Sequence, residues 1–361
     1  TILFFSIICF QTYSQCNGSN IICNRKYNEV AYLTTHNAFN SAEDNFSFPN
    51  QNFNISTQLN DGVRGLMIDV YDMFGTPTVY HGSWLLGSSP LIDFLNDIKT
   101  FMDNNPNEII TIIFECYTSA NEIEGDFIQS GLINYVYTHS LGNSWPTLQT
   151  MINNNTRLVV LTDVDDANQN QSWYHYMWDF SVETHYSAST SNDFSCDFNR
   201  GDSINDLFIF NHFITKTTGG SESDALIVNA NPYFYNRIVQ CWQEKQKFPN
   251  FITVDFYEHG DCFAVVDQIN NTLASNYDYL NESLIKIYPN PSNSEIKIEF
   301  SNNLKLPINI EIYNSLGQKM KCFYSLCNKR LMLLNHLNPD FYTIIVIDKN
   351  KIRHSNKFIV K

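Results

Sequence analysis

Six short, almost continuously apolar runs punctuate the first 270 residues: Glu29–Asn37, Gly62–Asp72, Glu108–Glu115, Arg157–Asp163, Asp206–His212 and Asn250–Glu258. Unbroken apolarity over five to eight residues is the pattern of a strand buried on both faces, as in a parallel sheet. Between some of them the period lengthens to that of a helix. After Ser89-Pro90, the residues Leu91, Phe94, Leu95, Ile98, Phe101 and Met102 form one apolar stripe, and after Asn231-Pro232 the stripe is Tyr235, Ile238, Val239 and Trp242. Buried strands alternating with amphipathic helices over about 250 residues predict an α/β fold, most economically an irregular TIM-type (β/α) barrel over residues 16–275. The stretch 276–284 is polar and reads as a linker. From Ile285 the pattern becomes one of short alternating strands, with Ile296, Ile298 and Phe300 set against Glu295, Lys297 and Glu299, which predicts a small β-sandwich over 285–361.

Composition agrees with two units. The chain has 361 residues, 43% of them hydrophobic, which is ample for folded cores. Residues 285–361 carry 12 basic and 5 acidic side chains, a net of +7, whereas residues 1–284 carry 10 and 32, a net of −22. So acidic a body excludes nucleic acid as a partner and repels anionic substrates unless a cation intervenes. The apolar run Ile2–Phe10 followed by small polar residues reads as a secretory signal over 1–15, cut short at its start, with a buried N-terminal strand as the alternative. Export makes disulfides the expected state of the cysteines. Cys16 with Cys23, and Cys322 with Cys327, are spaced to close short loops, while pairing among Cys116, Cys196, Cys241 and Cys262 is open.

The apolar runs share a further property: each ends on polar residues, namely His36-Asn37, Asp69, Glu115, Asp163, Asn211-His212 and Asp255. A barrel gathers these ends on one rim, where barrel enzymes place their chemistry. Two histidines there, His36 and His81, suit general base and general acid, because imidazole titrates near neutrality. Asn37, Asp69 and Glu115 offer hard oxygen donors, a set for Ca²⁺, with Mg²⁺ as the second choice, rather than for zinc. Paired histidines beside an oxygen-ligated cation predict phosphodiester cleavage, with Asp255 orienting His36.

The segments LTTHNAF, TQLNDGVRGLMIDVYD, VYHG, NNPNEIITIIFE and NFITVDFYE, in that order, resemble the X-domain of phosphatidylinositol-specific phospholipase C, in particular its secreted or single-domain phosphodiesterase relatives. The resemblance implies His36 as general base, His81 as general acid and Asp255 as the carboxylate supporting His36. It also implies Asn37, Asp69 and Glu115 as ligands of Ca²⁺, a phospholipid or other phosphodiester substrate at a membrane surface, and a cyclic inositol phosphate as intermediate. One departure stands out: Met67 occupies a position that usually carries a Glu ligand. No Lys/Arg cluster for a multiply phosphorylated headgroup is visible. The rival readings are a glycerophosphodiesterase-like hydrolase, which expects a Glu where Met67 stands, and a catalytically silent surface binding protein.

The C-terminal segments IYPNPSNSEIKI, IYNSLGQK and KFIVK resemble the type A sorting domain of type IX secretion, with Pro339-Asp340-Phe341 in place of the usual Pro-Gly before Tyr342. This implies the type IX machinery as partner and a secreted or cell-surface location, as in Bacteroidetes. The bland alternative, a carbohydrate-binding sandwich, lacks an aromatic platform. Of the other residues, His139, His175, His185, His259, His336 and His354 read as surface positions and Arg64 as half of a structural ion pair. His212, Glu183 and Tyr257 are candidates for the rim or pocket wall. Trp173–Phe180 (WYHYMWDF) reads either as a lid or membrane-facing loop or as core.

Overall fold

A computed structural model describes residues 15–165, 170–217, 219–280, 285–293, 295–300, 307–326, 331–334, 337–347, 349 and 353–361. The predicted signal (apart from residue 15), Cys327, His336 and the side chains of Cys322 and His354 lie outside that description. The chain divides into two compact units at Asn270–Asn271.

In the first unit each of the six apolar runs contains a strand: β1 (Tyr32–Thr35), β2 (Gly65–Asp72), β3 (Ile110–Tyr117), β4 (Leu158–Thr162), then β7 (Leu207–Asn211) and β8 (Phe251–Val254). Two further short strands, β5 (Tyr174–Tyr176) and β6 (Ser181–Thr184), complete a set of eight. All eight pair in parallel, in the order β5-β4-β3-β2-β1-β8-β7-β6. The sheet curls like a barrel in sequential order and carries no ladder between β5 and β6, where a 3₁₀ turn, Met177–Asp179, passes instead. Hairpin strands widen the rim: Pro77–Val79 lies antiparallel to β2, and Phe198–Gly201 antiparallel to β6.

The helices are unevenly distributed. α1 (Ile55–Asp61) links β1 to β2, and α2 (Leu91–Asn104) links β2 to β3. α3 (Ala120–Ser130) and α4 (Leu148–Asn153) precede β4, α5 (Glu222–Val228) and α6 (Tyr233–Lys245) precede β8, and α7 (Cys262–Leu280) follows it. The α2 stripe read from the sequence is wholly buried. In α6 the buried positions are Phe234, Arg237, Ile238 and Cys241, so of the expected stripe Ile238 is buried while Tyr235 and Val239 are only partly so. α7 continues to residue 280, so much of the predicted linker is helical.

The segment Trp173–Phe180 is chiefly core: Trp173, Tyr174, His175, Met177 and Phe180 are buried, and its strand β5 joins the sheet. That corrects two surface assignments. His175 is fully buried, with Nδ1–H donating to Val160 O (3.0 Å) and Nε2 accepting the His139 amide (2.9 Å). His139 is also buried, stacked on Trp145 at 3.8 Å. A histidine enters a core when both ring nitrogens find partners, as here. Arg64 pairs with Glu108 at 2.7 Å, the structural role expected of it. Cys16–Cys23 and Cys196–Cys241 are disulfides, whereas Cys116 and Cys262 are buried and outside any disulfide.

The second unit packs a three-stranded antiparallel sheet, β9 (Ile285–Tyr288), β10 (Ile296–Phe300) and β13 (Leu331–Leu334), with a four-stranded one. The latter comprises β11 (Ile308–Tyr313), β12 (Lys319–Leu326), β14 (Asp340–Ile347) and β15 (Arg353–Val360). Alternate residues of both sheets, among them Ile296, Ile298, Ile310, Ile312, Ile344 and Phe358, fill one core.

Candidate active site

The C-terminal ends of the barrel strands surround a cleft of about 330 Å³. β1 pairs with β8 so that Thr35 lies against Val254, and the next residue on each strand is His36 and Asp255. Their side chains meet: His36 Nδ1 is 2.9 Å from Asp255 Oδ1. A carboxylate accepts only, so the ring proton sits on Nδ1 and the Nε2 lone pair is left for a substrate. Phe213 stacks flat on the His36 ring, with centroids 3.8 Å apart and planes 8° apart. Asn37 takes a left-handed turn, φ 46°, which asparagine tolerates better than most residues and which ends the strand.

On β2, Met67, Asp69 and Tyr71 share one face by the two-residue period and all line the cleft. Asp69 lies in register with Glu115 on β3. The hairpin strand Pro77–Val79 returns along β2 and delivers His81, whose Nδ1 lies 3.1 Å from Asp69 Oδ2 and 3.2 Å from Asn37 Nδ2. The carboxylate again claims the ring proton. The hydrogen bond to Asp69 raises the His81 pKa above its ordinary value, outweighing partial burial, so His81 holds a proton that an isolated imidazole would lose. Burial pushes the Asp69 carboxyl upward, with the neighbouring Glu115 charge adding to it and His81 opposing. The two imidazoles face the same space, with centroids 6.5 Å apart and planes 78° apart.

The six residues given catalytic or ligand roles from the sequence, His36, Asn37, Asp69, His81, Glu115 and Asp255, all line this cleft. Glu183 lines it too. His212 does not: its Nε2 donates to Val228 O (2.9 Å) and its Nδ1 accepts from Arg237 (3.0 Å), deep in the protein. Side chains alternate along β7 and its continuation, so Asn211 and Phe213 face the cleft and the residue between them faces away. Tyr257 also points elsewhere, donating to Asp61 Oδ2 at 2.6 Å, after Phe256 at φ 47° breaks the alternation begun at Asp255.

Asn50, Arg200 and Phe213 are among the cleft residues that the sequence did not single out. Asn50 and Arg200 come from a loop and a hairpin, outside any apolar run, and Phe213 was overshadowed by His212. Arg200 donates from Nε to Glu183 (2.5 Å), between the rings of Trp178 and Tyr186. The other cleft cation, Lys216, pairs with Asp224 at 2.8 Å.

Against these two stand Asp69, Glu115, Asp163, Glu183 and Asp255, a surplus of negative charge suited to a cation. The oxygen donors within one region are Asn37, Asp69 and Glu115. Asn37 directs its Nδ2 to Asn50 Oδ1 (3.2 Å), so its oxygen is the atom free to serve as a ligand. Asp69 uses Oδ2 for His81, and Glu115 accepts the Tyr117 hydroxyl on Oε1 (2.5 Å). Among the described residues no three His, Cys, Asp or Glu side chains gather tightly enough to hold a metal by themselves. The thioether of Met67, a soft group, stands on the same strand face as Asp69 and lends a hard cation nothing. The donor chemistry therefore fits a hard cation in kind, with one carboxylate fewer than a third acidic ligand at position 67 would supply.

Residues 22–270 match the PI-PLC X family, and residues 286–361 match the secretion system C-terminal sorting domain. A PI-PLC X domain-containing protein of Arabidopsis thaliana is 31% identical over 70% of this chain and 64% of its own length. An uncharacterized secreted protein of Arthroderma benhamiae is 27% identical over 71% and 64%. The chain thus spans a little under two thirds of these two curated relatives. A PI-PLC X domain-containing protein 1 of the same fungus is 24% identical over 71% of this chain and 89% of its own. Among solved structures, a phosphatidylinositol-specific phospholipase C from Staphylococcus aureus aligns at 16% identity and a TM-score of 0.46, over 69% of this chain and 95% of that one. With its sorting domain the protein is exported by type IX secretion, to the cell surface or medium.

Proposed function

This chain belongs to the PI-PLC X family, and on that footing we propose that it is a secreted phosphoric diester hydrolase of the phospholipase C type. The observation that carries the reading is the pair of carboxylate-backed imidazoles, His36 on Asp255 and His81 on Asp69, facing one cleft 6.5 Å apart. His36 Nε2 takes the proton of a hydroxyl neighbouring the phosphate on the headgroup. That oxygen forms a bond to phosphorus, the bond to the lipid alcohol breaks, and His81 gives its proton to the departing oxygen. The product is a cyclic phosphodiester. With roles reversed, His81 takes a proton from water, water oxygen bonds to phosphorus, and His36 protonates the headgroup oxygen as the ring opens.

A divalent cation, Ca²⁺ before Mg²⁺, would be held by Asn37, Asp69 and Glu115. Bound there, it would offset negative charge on the phosphate, which the acidic cleft otherwise repels. The headgroup we propose is an unphosphorylated polyol such as inositol, because the two cleft cations already face Glu183 and Asp224. Action at a lipid surface is supported by exposed apolar side chains beside the cleft: Phe48, Trp84 and Leu85 are 54%, 53% and 74% exposed. Their loops are joined by Ser47 N–H to Leu86 O (2.7 Å). Residues 46–49 and 82–90 carry no charge. The test is hydrolysis of phosphatidylinositol in mixed micelles by the full chain and by His36→Ala and His81→Ala variants. Losses of at least 10³-fold in both are expected, and comparable rates in all three would refute the proposal.

A further inference from the structure

Asn50 lies in the loop between β1 and α1 and is almost wholly buried. Its main chain is fixed at both ends: its N–H donates to Asn40 O (2.9 Å), and its carbonyl accepts from Phe256 N–H (2.9 Å), one residue past Asp255. Its side chain stands between the two halves of the site. Nδ2 donates to both carboxylate oxygens of Asp255, each at 3.2 Å. Oδ1 accepts from Asn37 Nδ2 (3.2 Å) and Asn40 Nδ2 (2.7 Å).

The polarity of this amide is forced. Asp255 accepts only, so the amide nitrogen must face it. Rotated by half a turn, the amide would set oxygen against carboxylate on one side and nitrogen against two amide nitrogens on the other, losing four hydrogen bonds at a side chain that is almost wholly buried. The forced orientation acts in two directions. Asp255 is held as a pure acceptor with Oδ1 toward His36 Nδ1, which keeps the basic lone pair on Nε2. Asn37 is obliged to turn its nitrogen inward, which leaves its oxygen for the cleft.

We propose that Asn50 is a positioning residue: one buried amide that fixes both the tautomer of the general base and the outward oxygen of Asn37. The kinetic part of this inference rests on the phosphodiesterase reading; the spectroscopic part does not.

The experiment compares the full-length protein with Asn50→Leu, which keeps the branching at Cγ and removes the hydrogen bonds, and with Asn50→Asp, which sets a carboxylate against Asp255. Asn40→Ala is the control, since it withdraws a donor from the same oxygen without touching Asp255 or Asn37. The first readout is the ¹⁵N spectrum of the His36 ring. The wild type and N40A are expected to show a single Nδ1–H tautomer, and N50L a mixture with Nε2–H. The second is steady-state kinetics: N50L should lose about 30-fold or more in kcat with KM within threefold, and N50D at least as much. Should N50L fail to fold, Asn50→Ser carries the same comparison. An unchanged tautomer, or a kcat for N50L within threefold of wild type, overturns the proposal. A wild type that turns over no diester, yet shows the tautomer shift on substitution, refutes the phosphodiesterase reading and leaves the positioning role standing.

Discussion

Replacing Asp255 by Asn is the sharpest single perturbation of the base. The native carboxylate accepts from His36 Nδ1 at 2.9 Å and from Asn50 Nδ2 at 3.2 Å on both oxygens. An amide at position 255 must place its oxygen toward the Asn50 nitrogen, because two facing amide nitrogens repel. Its own nitrogen then faces His36 Nδ1 and donates to it, which moves the imidazole proton to Nε2. The base is thereby blocked at the atom that should accept the substrate proton. Loss of a charge-assisted hydrogen bond alone costs about 1.5–3 kcal/mol, roughly 10- to 150-fold. The wrong tautomer carries the loss further, toward the ~10⁴-fold seen when Asp becomes Asn in Ser-His-Asp sites. We expect kcat on phosphatidylinositol micelles to fall about 10²- to 10⁴-fold with KM within threefold and the melting temperature little changed. A D255N enzyme within fivefold of wild type would refute the orientation argument.

Four further outcomes follow from the same geometry. Since Asp69 raises the His81 pKa, the protonated acid persists above the ordinary imidazole range; the alkaline limb of the kcat/KM–pH profile should lie above pH 6.5 and move down in Asp69→Asn. His175 is buried neutral with its pKa depressed to about 4, so unfolding takes up a proton below pH 6.5. Its stabilising share is complete above that pH and declines by roughly 3 kcal/mol as pH falls toward 4, which urea titrations of the wild type and His175→Gln will register as a shallower acid slope in the variant. Met67→Glu should restore a carboxylate on the face of Asp69 and tighten Ca²⁺ binding by about tenfold or more in calorimetry; unchanged affinity would place the cation elsewhere. Trp84→Ala with Leu85→Ala should slow hydrolysis of vesicle substrate at least tenfold, an apolar-burial effect, while leaving a short-chain monomeric diester within twofold.

How much was legible in the sequence depended on where a residue sits in its element. His36, Asn37, Asp69, Glu115 and Asp255 stand out because each interrupts an apolar run, and a barrel needs such runs to be buried on both faces. The strands Tyr174–Tyr176 and Ser181–Thr184 were hidden because three or four residues are too few to show a period, and their His175, Ser181 and Glu183 look like loop composition. Those polar groups are tolerated inside because each finds a partner, as His175 does between Val160 and His139. His212 misled for a geometric reason: at a strand end one residue decides which side of the wall a ring occupies, and only the register settles it. Asn50 and Arg200 could not be read at all, since loops and hairpins reach the cleft through tertiary contacts that no local pattern encodes. The −22 charge of residues 1–284, by contrast, anticipated an acidic cleft.

The central claim is that the two imidazoles act in turn on one phosphorus atom. Its most direct test is a phosphorus-31 NMR time course of the full-length enzyme with phosphatidylinositol micelles, run with Ca²⁺ and with chelator. The account predicts a cyclic phosphodiester resonance that appears first and later gives way to a monoester, in the presence of Ca²⁺. A monoester or glycerol phosphate formed with no cyclic species at any time, or lipid that stays intact, would contradict it.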